Sequence, residues 1–430
     1  MRILVLGSGA REHAIVTALA GEGTHHVVAA PGNPGIDNEA EVLRLDATKP
    51  ELVVSFAQDE RIDLVVVGPE APLVAGVADA LRQAGVPVFG PNREAARIEG
   101  SKIFAKQVME RAGVPTGRAQ LVTDPAEAER VLSEFGAPYV VKADGLAAGK
   151  GVLVTDRREA ALEHAAHWLG FGPVLVEEFL SGEEVSLFCF SDGESVRALP
   201  PAQDFKRLLD GDAGPNTGGM GAYTPVPAVV ERWGSERAFM REVEETIAQP
   251  VIDELRAQGI PFQGLLYCGL VLHERGVRVI EFNARFGDPE TQVVLARLDQ
   301  PLSDLLLASA QGTLGAMPEE LEIGDRAAVT VVLAGEGYPE QSAPSGRPVT
   351  GVADAEGAIG VRVLHAATAI DAEGALVATG GRVLNVVGRA ETIAAARERA
   401  YAGLSRIALE GSHFRRDIAE AAAGREADRR

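Results

Sequence analysis

The run Val140-Val141-Lys142-Ala143-Asp144-Gly145-Leu146-Ala147-Ala148-Gly149-Lys150-Gly151-Val152 has residue types and spacing suited to holding phosphate. Two β-branched stretches flank a turn with Gly145, Gly149 and Gly151, and such a turn aims backbone N–H groups at phosphate oxygens because glycine permits close approach and unusual φ values. Lys142 and Lys150 stand at its ends and supply positive charge. It is not a P-loop: GxxxxGK[ST] is absent and a strand follows in place of a helix. An ordinary glycine-rich hairpin is the alternative. In Val176-Glu177-Glu178-Phe179-Leu180-Ser181-Gly182-Glu183-Glu184 a strand ends in two acids, an aromatic and a leucine, with two more acids after a turn. That order can clasp a nucleoside, although acidic loops are usually solvated surface.

A third run is Glu281-Phe282-Asn283-Ala284-Arg285-Phe286-Gly287-Asp288-Pro289-Glu290-Thr291-Gln292. On a strand, residues two apart share a face, so Glu281, Asn283 and Arg285 project together with Asp288 and Glu290 just beyond. One carboxylate and one amide, completed by water and phosphate oxygens, suit Mg²⁺ held between protein and nucleotide; a surface ion-pair ladder would have the same pattern. Finally, Gln203-Asp204-Phe205-Lys206-Arg207 precedes Gly214-Pro215-Asn216-Thr217-Gly218-Gly219-Met220-Gly221-Ala222-Tyr223, which reads as a mobile loop able to close over substrate. Lysine occurs six times among 41 basic residues, and five of the six fall between 102 and 206. A compact ammonium suits phosphate oxygens where a planar guanidinium does not fit; codon bias and chance clustering are the plainer account.

Several elements must position these runs. RILVLG (2–7), HVVAA (26–30), DLVVVG (63–68) and VPVFG (86–90) read as four strands. Helices at 11–20, 51–58 and about 73–84 alternate with them. Apolar strands alternating with helices imply a parallel sheet covered on both faces. Its ligands would sit at the strands' carboxyl ends, in the loops 7–12, 31–35 and 68–72. Gly7-Ser8-Gly9-Ala10-Arg11-Glu12 begins like GxGxxG, but Glu12 stands where the third glycine belongs and no acid ends the second strand to hold a ribose. The loop reads as a helix N-terminus accepting some other anionic ligand. A helix at 101–114 follows, then an α+β stretch over 120–190, then strands alternating with loops to 285. Three strands (327–335, 361–368, 380–388), a helix over about 390–408 and a frayed tail complete the chain.

With 41 basic and 62 acidic residues the net charge of 430 residues is −21, which disfavours a broad nucleic-acid-binding surface. Cys189 and Cys268 are too few for a disulfide framework or a zinc site and fit a reducing compartment. No stretch reaches the roughly 18 apolar residues of a membrane span. The expectation is a soluble cytoplasmic protein acting on small molecules, with neither nucleic acid nor membrane as partner.

The order VKADGLAAGKGV, VEEFLSGEEVS, QDFKR, PNTGGMGAYTP and EFNARFGDPETQ resembles the glycinamide ribonucleotide synthetases, the phosphoribosylamine–glycine ligase family of the ATP-grasp superfamily. GSGAREHA, PGNPG, VVVGPEAPLVAG, FGPNREAARIEGSK and ATGGRVLNVVG extend the likeness over essentially the whole chain, and RFGDPETQ is specific to this family within the superfamily; Phe205 is the departure noted. The resemblance implies an α/β and α+β multidomain chain: an N-terminal parallel α/β domain (1–100), an ATP-grasp domain (101–325) with a mobile lid at about 120–190, and a small C-terminal α+β domain (326–430). It implies ligation of glycine to 5-phosphoribosylamine with ATP as co-substrate and Mg²⁺ or Mn²⁺ as cofactor, through glycyl phosphate, in purine biosynthesis. Another ATP-grasp carboxylate–amine ligase is the alternative.

By the same resemblance Lys102, Lys142, Gly145, Gly149 and Lys150 grip the ATP phosphates. Glu177, Phe179 and Leu180 clasp adenine, and Glu184 accepts from the ribose. Glu281 and Asn283 are the metal ligands. Asp204, Lys206, Arg285 and Asp288 carry the chemistry on the substrate side, with Gly287, Thr217 and Gly218 beside them. Arg11, Glu12 and Glu70 meet phosphoribosylamine.

Overall fold

The computed structural model describes residues 1–145, 151–341 and 345–429. Its first sheet is parallel, five strands in the order Glu41–Val42, His26–Pro31, Arg2–Gly7, Leu64–Val67, Val88–Phe89. Strand order reverses beside Arg2–Gly7, so the loops leaving that strand and Leu64–Val67 flank the crevice where such sheets bind ligands. Four strands were expected; Glu41–Val42 is the fifth, too short at two residues to leave a hydrophobic pattern. The single helix expected over 73–84 is two, Glu70–Ala75 and Val77–Gln83. They break at Gly76, whose φ of +83° only glycine adopts without strain.

A four-stranded antiparallel sheet, Val196–Ala198, Glu183–Asp192, Gln263–His273 and Gly276–Asn283, forms the middle of the chain. A smaller one orders Ala119–Val122, Val174–Glu177, Tyr139–Ala143 and Val152–Thr155. Helices Pro125–Phe135 and Arg158–Leu169 pack on the smaller sheet and enclose their own apolar core, including Val131, Leu132, Val141, Ala161 and Val176. A fourth sheet runs Gln203–Asp204, Gly221–Thr224, Ala327–Ala334, Arg382–Ala390, Val361–His365. The two segments around the mobile-looking loop are thereby stitched to strands from the last hundred residues.

Two expectations need correction. Residues 227–257, read as strands and loops, hold the helices Pro227–Trp233, Glu236–Val243 and Gln249–Ala257. Local chemistry favours them: Pro227 occupies a first turn, and the Ser235 side chain accepts from the Ala238 N–H as an N-cap. The tail is likewise not frayed but a helix, Glu420–Arg429. It is held where Ala422 is buried and Arg425 pairs with Glu183 at 2.8 Å.

The parallel sheet docks on the fourth sheet through two buried histidines. The His365 N–H donates to His13 Nδ1 at 2.8 Å, and Asn33 Nδ2 donates to the carbonyls of Ser8 and His365, both at 2.9 Å. Burial, with His13 alongside and Glu39 opposing, pushes His365 down to about 4. The unfolded chain therefore takes up this proton first. Stability is whole above about 6.5 and drains as pH falls toward 4, by roughly 3 kcal/mol. Denaturant melts of wild type and His365→Gln at pH 7 and 4.5 check this: the wild type should lose more on acidification than the variant.

Candidate active site

Lys142 lies on Tyr139–Ala143, at the centre of the small sheet, with its side chain buried. Its ammonium meets Glu177 Oε2 at 3.0 Å and donates to the Ile280 carbonyl at 3.2 Å. Lys106, from the helix Lys102–Arg111, reaches the same carboxylate oxygen at 3.3 Å. Burial alone would raise the Glu177 carboxyl, but the two ammoniums outweigh it and hold it below its usual value. Lys102 donates to the Gly145 carbonyl at 3.3 Å, and the preceding Asp144 accepts from Ser101 Oγ and the Ile103 N–H. The glycine turn is thus pinned, where it begins, to the N-terminus of that helix. Gly149 and Lys150 lie outside the described residues.

Past Glu177 the chain runs along Gly117 and Arg118, where the Glu178 N–H donates to the Arg118 carbonyl at 2.8 Å. Phe179 is exposed and Leu180 half-buried. Glu184 pairs directly with Lys206, and Lys206 lies 3.9 Å from Asp204 Oδ1. The residue expected on the ribose therefore touches one expected on the substrate side. Burial pushes the Asp204 carboxyl up to about 7, with Glu290 and Glu184 adding to the effect and Lys206 opposing it. Burial would lower Lys206, but Asp204 and Glu184 carry it well above its ordinary value.

Glu281 and Asn283 alternate on Gly276–Asn283, opposite Gly269 and Tyr267. Among the described residues neither side chain has a hydrogen-bond or ion-pair partner. No group of three His, Cys, Asp or Glu side chains there could hold a metal by itself. A free carboxylate and amide side by side fit a cation whose other ligands are water and nucleotide oxygens, as Mg²⁺ prefers.

Arg285 NH2 donates to Glu99 Oε1 at 2.9 Å, its Nε lies 3.6 Å from Glu70 Oε2, and NH1 donates to the Phe286 carbonyl at 3.1 Å. Burial would lower its pKa, but Glu99 and Glu70 raise it above even the usual guanidinium value. Arg11 NH1 donates to the same Phe286 carbonyl at 3.2 Å. Arg11, Glu70 and Arg285, far apart in sequence, therefore converge on one spot at the crevice of the parallel sheet. Burial would raise Glu70, yet Arg285 and Arg11 hold it below the usual carboxylate value. Glu12 is nearly inaccessible; its carboxylate accepts from the Gly9 N–H and from Arg11 Nε, both at 2.6 Å. The helix N-terminus expected to take an anionic ligand thus already holds the chain's own anion, which is what a glutamate in place of the third glycine brings.

The remaining expected residues are engaged with protein. Thr217 Oγ1 donates to the Lys206 carbonyl at 2.9 Å. The Gly218 N–H donates to Tyr338 Oη at 2.9 Å. Gly287 is packed so closely that a Cβ there would come 2.8 Å from Glu290 Oε2 and 2.9 Å from the Tyr267 ring. Asp288 accepts from Gln292 Nε2 at 2.8 Å and pairs with Arg382 at 3.2 Å. Glu99, Lys106, Tyr267 and Arg382 were given no role from sequence, and Glu290 was noted only as lying just beyond Arg285. Glu290 is buried and accepts from Ser186 Oγ at 3.0 Å and Tyr267 Oη at 2.9 Å. Glu99, Glu290 and Arg382 lie within recognised motif runs and Lys106 among the clustered lysines; Tyr267 left no signal.

Family models for the phosphoribosylglycinamide synthetase N domain, ATP-grasp (A) domain and C domain match residues 1–99, 100–291 and 328–421. The chain belongs to the phosphoribosylamine–glycine ligase family. Members of that name from Leifsonia xyli and Streptomyces coelicolor are 61% and 55% identical to it. These matches cover 97% and 99% of this chain and 99% and 100% of theirs. A crystal structure of phosphoribosylamine–glycine ligase from Thermotoga maritima is 34% identical at a TM-score of 0.79, covering 97% of this chain and all of that one. The biotin carboxylase domain of a Hydrogenobacter thermophilus 2-oxoglutarate carboxylase, solved with MgADP and bicarbonate, shares the fold at a TM-score of 0.68 and 18% identity; that match covers 96% of this chain and 91% of that one. The chain is accordingly an ATP-grasp ligase, an α/β and α+β multidomain enzyme whose N-terminal sheet is parallel. No helix among the described residues is long and apolar enough to cross a membrane.

Proposed function

We propose that the chain converts ATP, glycine and 5-phospho-β-D-ribosylamine to ADP, phosphate and N1-(5-phospho-β-D-ribosyl)glycinamide, as a step of purine biosynthesis in the cytoplasm. The observation carrying this reading is the meeting of Arg11 and Arg285 at the Phe286 carbonyl, with Glu70 beside them. It joins the crevice of the parallel sheet, our assignment for the ribose phosphate, to the end of the strand Gly276–Asn283, our assignment for the nucleotide phosphates. The working units are 1–100, 101–325 with a lid at about 120–190, and 326–430. The separate apolar core under the smaller sheet supports a lid that moves as one body.

A carboxylate is a poor electrophile, so one glycine oxygen first attacks the γ-phosphorus of ATP, the bond to ADP breaks, and glycyl phosphate forms. Lys142 and Arg285 offset the charge on the oxygens that transfer and leave. A divalent cation, Mg²⁺ or Mn²⁺, held by Glu281 and Asn283 supplies further neutralisation at the phosphate oxygens when bound. The ribosylamine nitrogen then attacks the acyl carbon, phosphate leaves with the bonding electrons, and the nitrogen gives up a proton, for which Asp204 is the acceptor. No protein nucleophile is required.

ADP release from Mg-ATP, with glycine and freshly generated phosphoribosylamine supplied singly and then together, tests the reaction. Release with matching product only when both are present supports it; nucleotide binding without turnover in any combination removes it. Glu281→Ala should keep the wild-type melting temperature and lose metal-dependent turnover by about two orders of magnitude or more, since several kcal/mol of charge stabilisation are involved. Near-normal turnover would take Glu281 out of the metal site.

A further inference from the structure

We propose that Arg382 is a positioning residue for the ligase site, acting from the C-terminal sheet by fixing the Gly218–Gly219 peptide against the turn at Asp288; the role rests on the ligase reading above. Arg382 opens the strand Arg382–Ala390, and its side chain is 21% exposed. NH1 donates to the Gly218 carbonyl at 2.7 Å, the Gly219 carbonyl at 3.4 Å and the Asp288 carbonyl at 2.9 Å, while NH2 lies 3.2 Å from Asp288 Oδ2. One planar group therefore engages four oxygens from two segments that no strand pairing joins. Tyr338 Oη accepts from the Gly218 N–H, in the preceding Thr217–Gly218 peptide. At Gly219 the backbone has φ +108°, and any Cβ would run into Pro289.

The held peptide leads directly to the reacting groups. The Gly219 N–H donates to Thr217 Oγ1 at 3.0 Å, and Thr217 donates through its N–H at 2.7 Å and through Oγ1 at 2.9 Å to the Lys206 carbonyl. Lys206 in turn pairs with Glu184 and faces Asp204. A displaced Gly218 thus displaces Lys206, and on the other side Arg382 sets the Asp288 carboxylate, which Gln292 holds from its opposite oxygen. NH1 takes the three carbonyls and NH2 the Asp288 carboxylate, a pair of rigidly spaced donors that a single ammonium lacks.

The test compares the full-length wild type, Arg382→Lys and Arg382→Ala by steady-state kinetics and by amide hydrogen exchange at 214–221 and in the strand Ala327–Ala334. Arg382→Ala should lower kcat about 100-fold, the scale of an ångström misplacement, with the KM for ATP within about threefold of wild type. Arg382→Lys should fall between, and millimolar guanidinium should return part of the lost rate to Arg382→Ala. Exchange at Gly218 and Gly219 should quicken while Ala327–Ala334 stays protected. Wild-type kcat in Arg382→Ala would overturn the proposal. So would a rate loss that guanidinium does not restore, accompanied by exchange throughout the C-terminal sheet, since that marks a structural role alone. A wild-type chain that makes no product removes the ligase reading; unchanged exchange at Gly218 in Arg382→Ala removes this one.

Discussion

Asp204→Asn is expected to lower kcat/KM for the ribosylamine by about 10²–10⁴-fold, the usual contribution of a positioned proton acceptor, and to abolish the acidic limb of the pH profile. The carboxylate is the accepting form, and burial among Glu290 and Glu184 puts its midpoint at about 7. Wild-type log kcat/KM should therefore rise with unit slope through the acidic range and level off above about pH 7. A second readout needs no turnover. A carboxyl raised from its unfolded value binds its proton more tightly in the folded chain, so it favours folding below the unfolded value and loses that contribution as pH climbs through 7. At pH 8 the wild type buries a charge that the neutral amide lacks, so Asp204→Asn should melt higher; toward pH 5, where Asp204 is protonated in the folded wild type, the difference should shrink. An unchanged limb with near-normal rate would remove Asp204 as the proton acceptor.

How much of this was legible before the structure depended on the range of each interaction. Apolar strands alternating with helices announce a parallel sheet, because burial on both faces leaves its mark in every residue of a strand such as Leu64–Val67. Two-residue Glu41–Val42 carries too little pattern to be seen. The helices over 227–257 were misread although Pro227 and Ser235 signal their starts. Glu281, Asn283 and Arg285 were found together because strand periodicity is local. Their supporting partners are not local: Glu99 reaches Arg285 and Arg382 reaches Gly218 across long separations in sequence that no spacing rule encodes. Lys106 was visible only as one of a cluster of lysines. That it shares Glu177 with Lys142 follows from three elements meeting, the helix Lys102–Arg111 and the strands Tyr139–Ala143 and Val174–Glu177.

That shared carboxylate makes the second large effect asymmetric. Lys142→Met should leave the chain folded, because Lys106 still neutralises Glu177 at 3.3 Å and itself keeps bonds to Thr116 Oγ1 at 2.9 Å and the Gly117 carbonyl at 3.2 Å. Its cost should fall on nucleotide use: a lost charge-assisted hydrogen bond is about 1.5–3 kcal/mol, a rise of roughly 10- to 150-fold in the ATP requirement. Lys142→Arg should share much of that defect although charge is kept, since the guanidinium has to fit a buried slot already shared with a second ammonium and presents a flat fork where an ammonium points. Glu177→Met is the opposite case. It strands the buried Lys142 ammonium against the half-buried one of Lys106, and breaking a buried pair from one side costs about 3–5 kcal/mol, so its melting temperature should fall well below that of Lys142→Met. Thermal melts of the three variants, with ATP titrations on those that remain folded, separate the two roles. If Lys142→Met melts as low as Glu177→Met, Lys142 is primarily a structural counter-ion; if Lys142→Arg uses ATP like wild type, the preference for an ammonium at this position has no basis in phosphate binding.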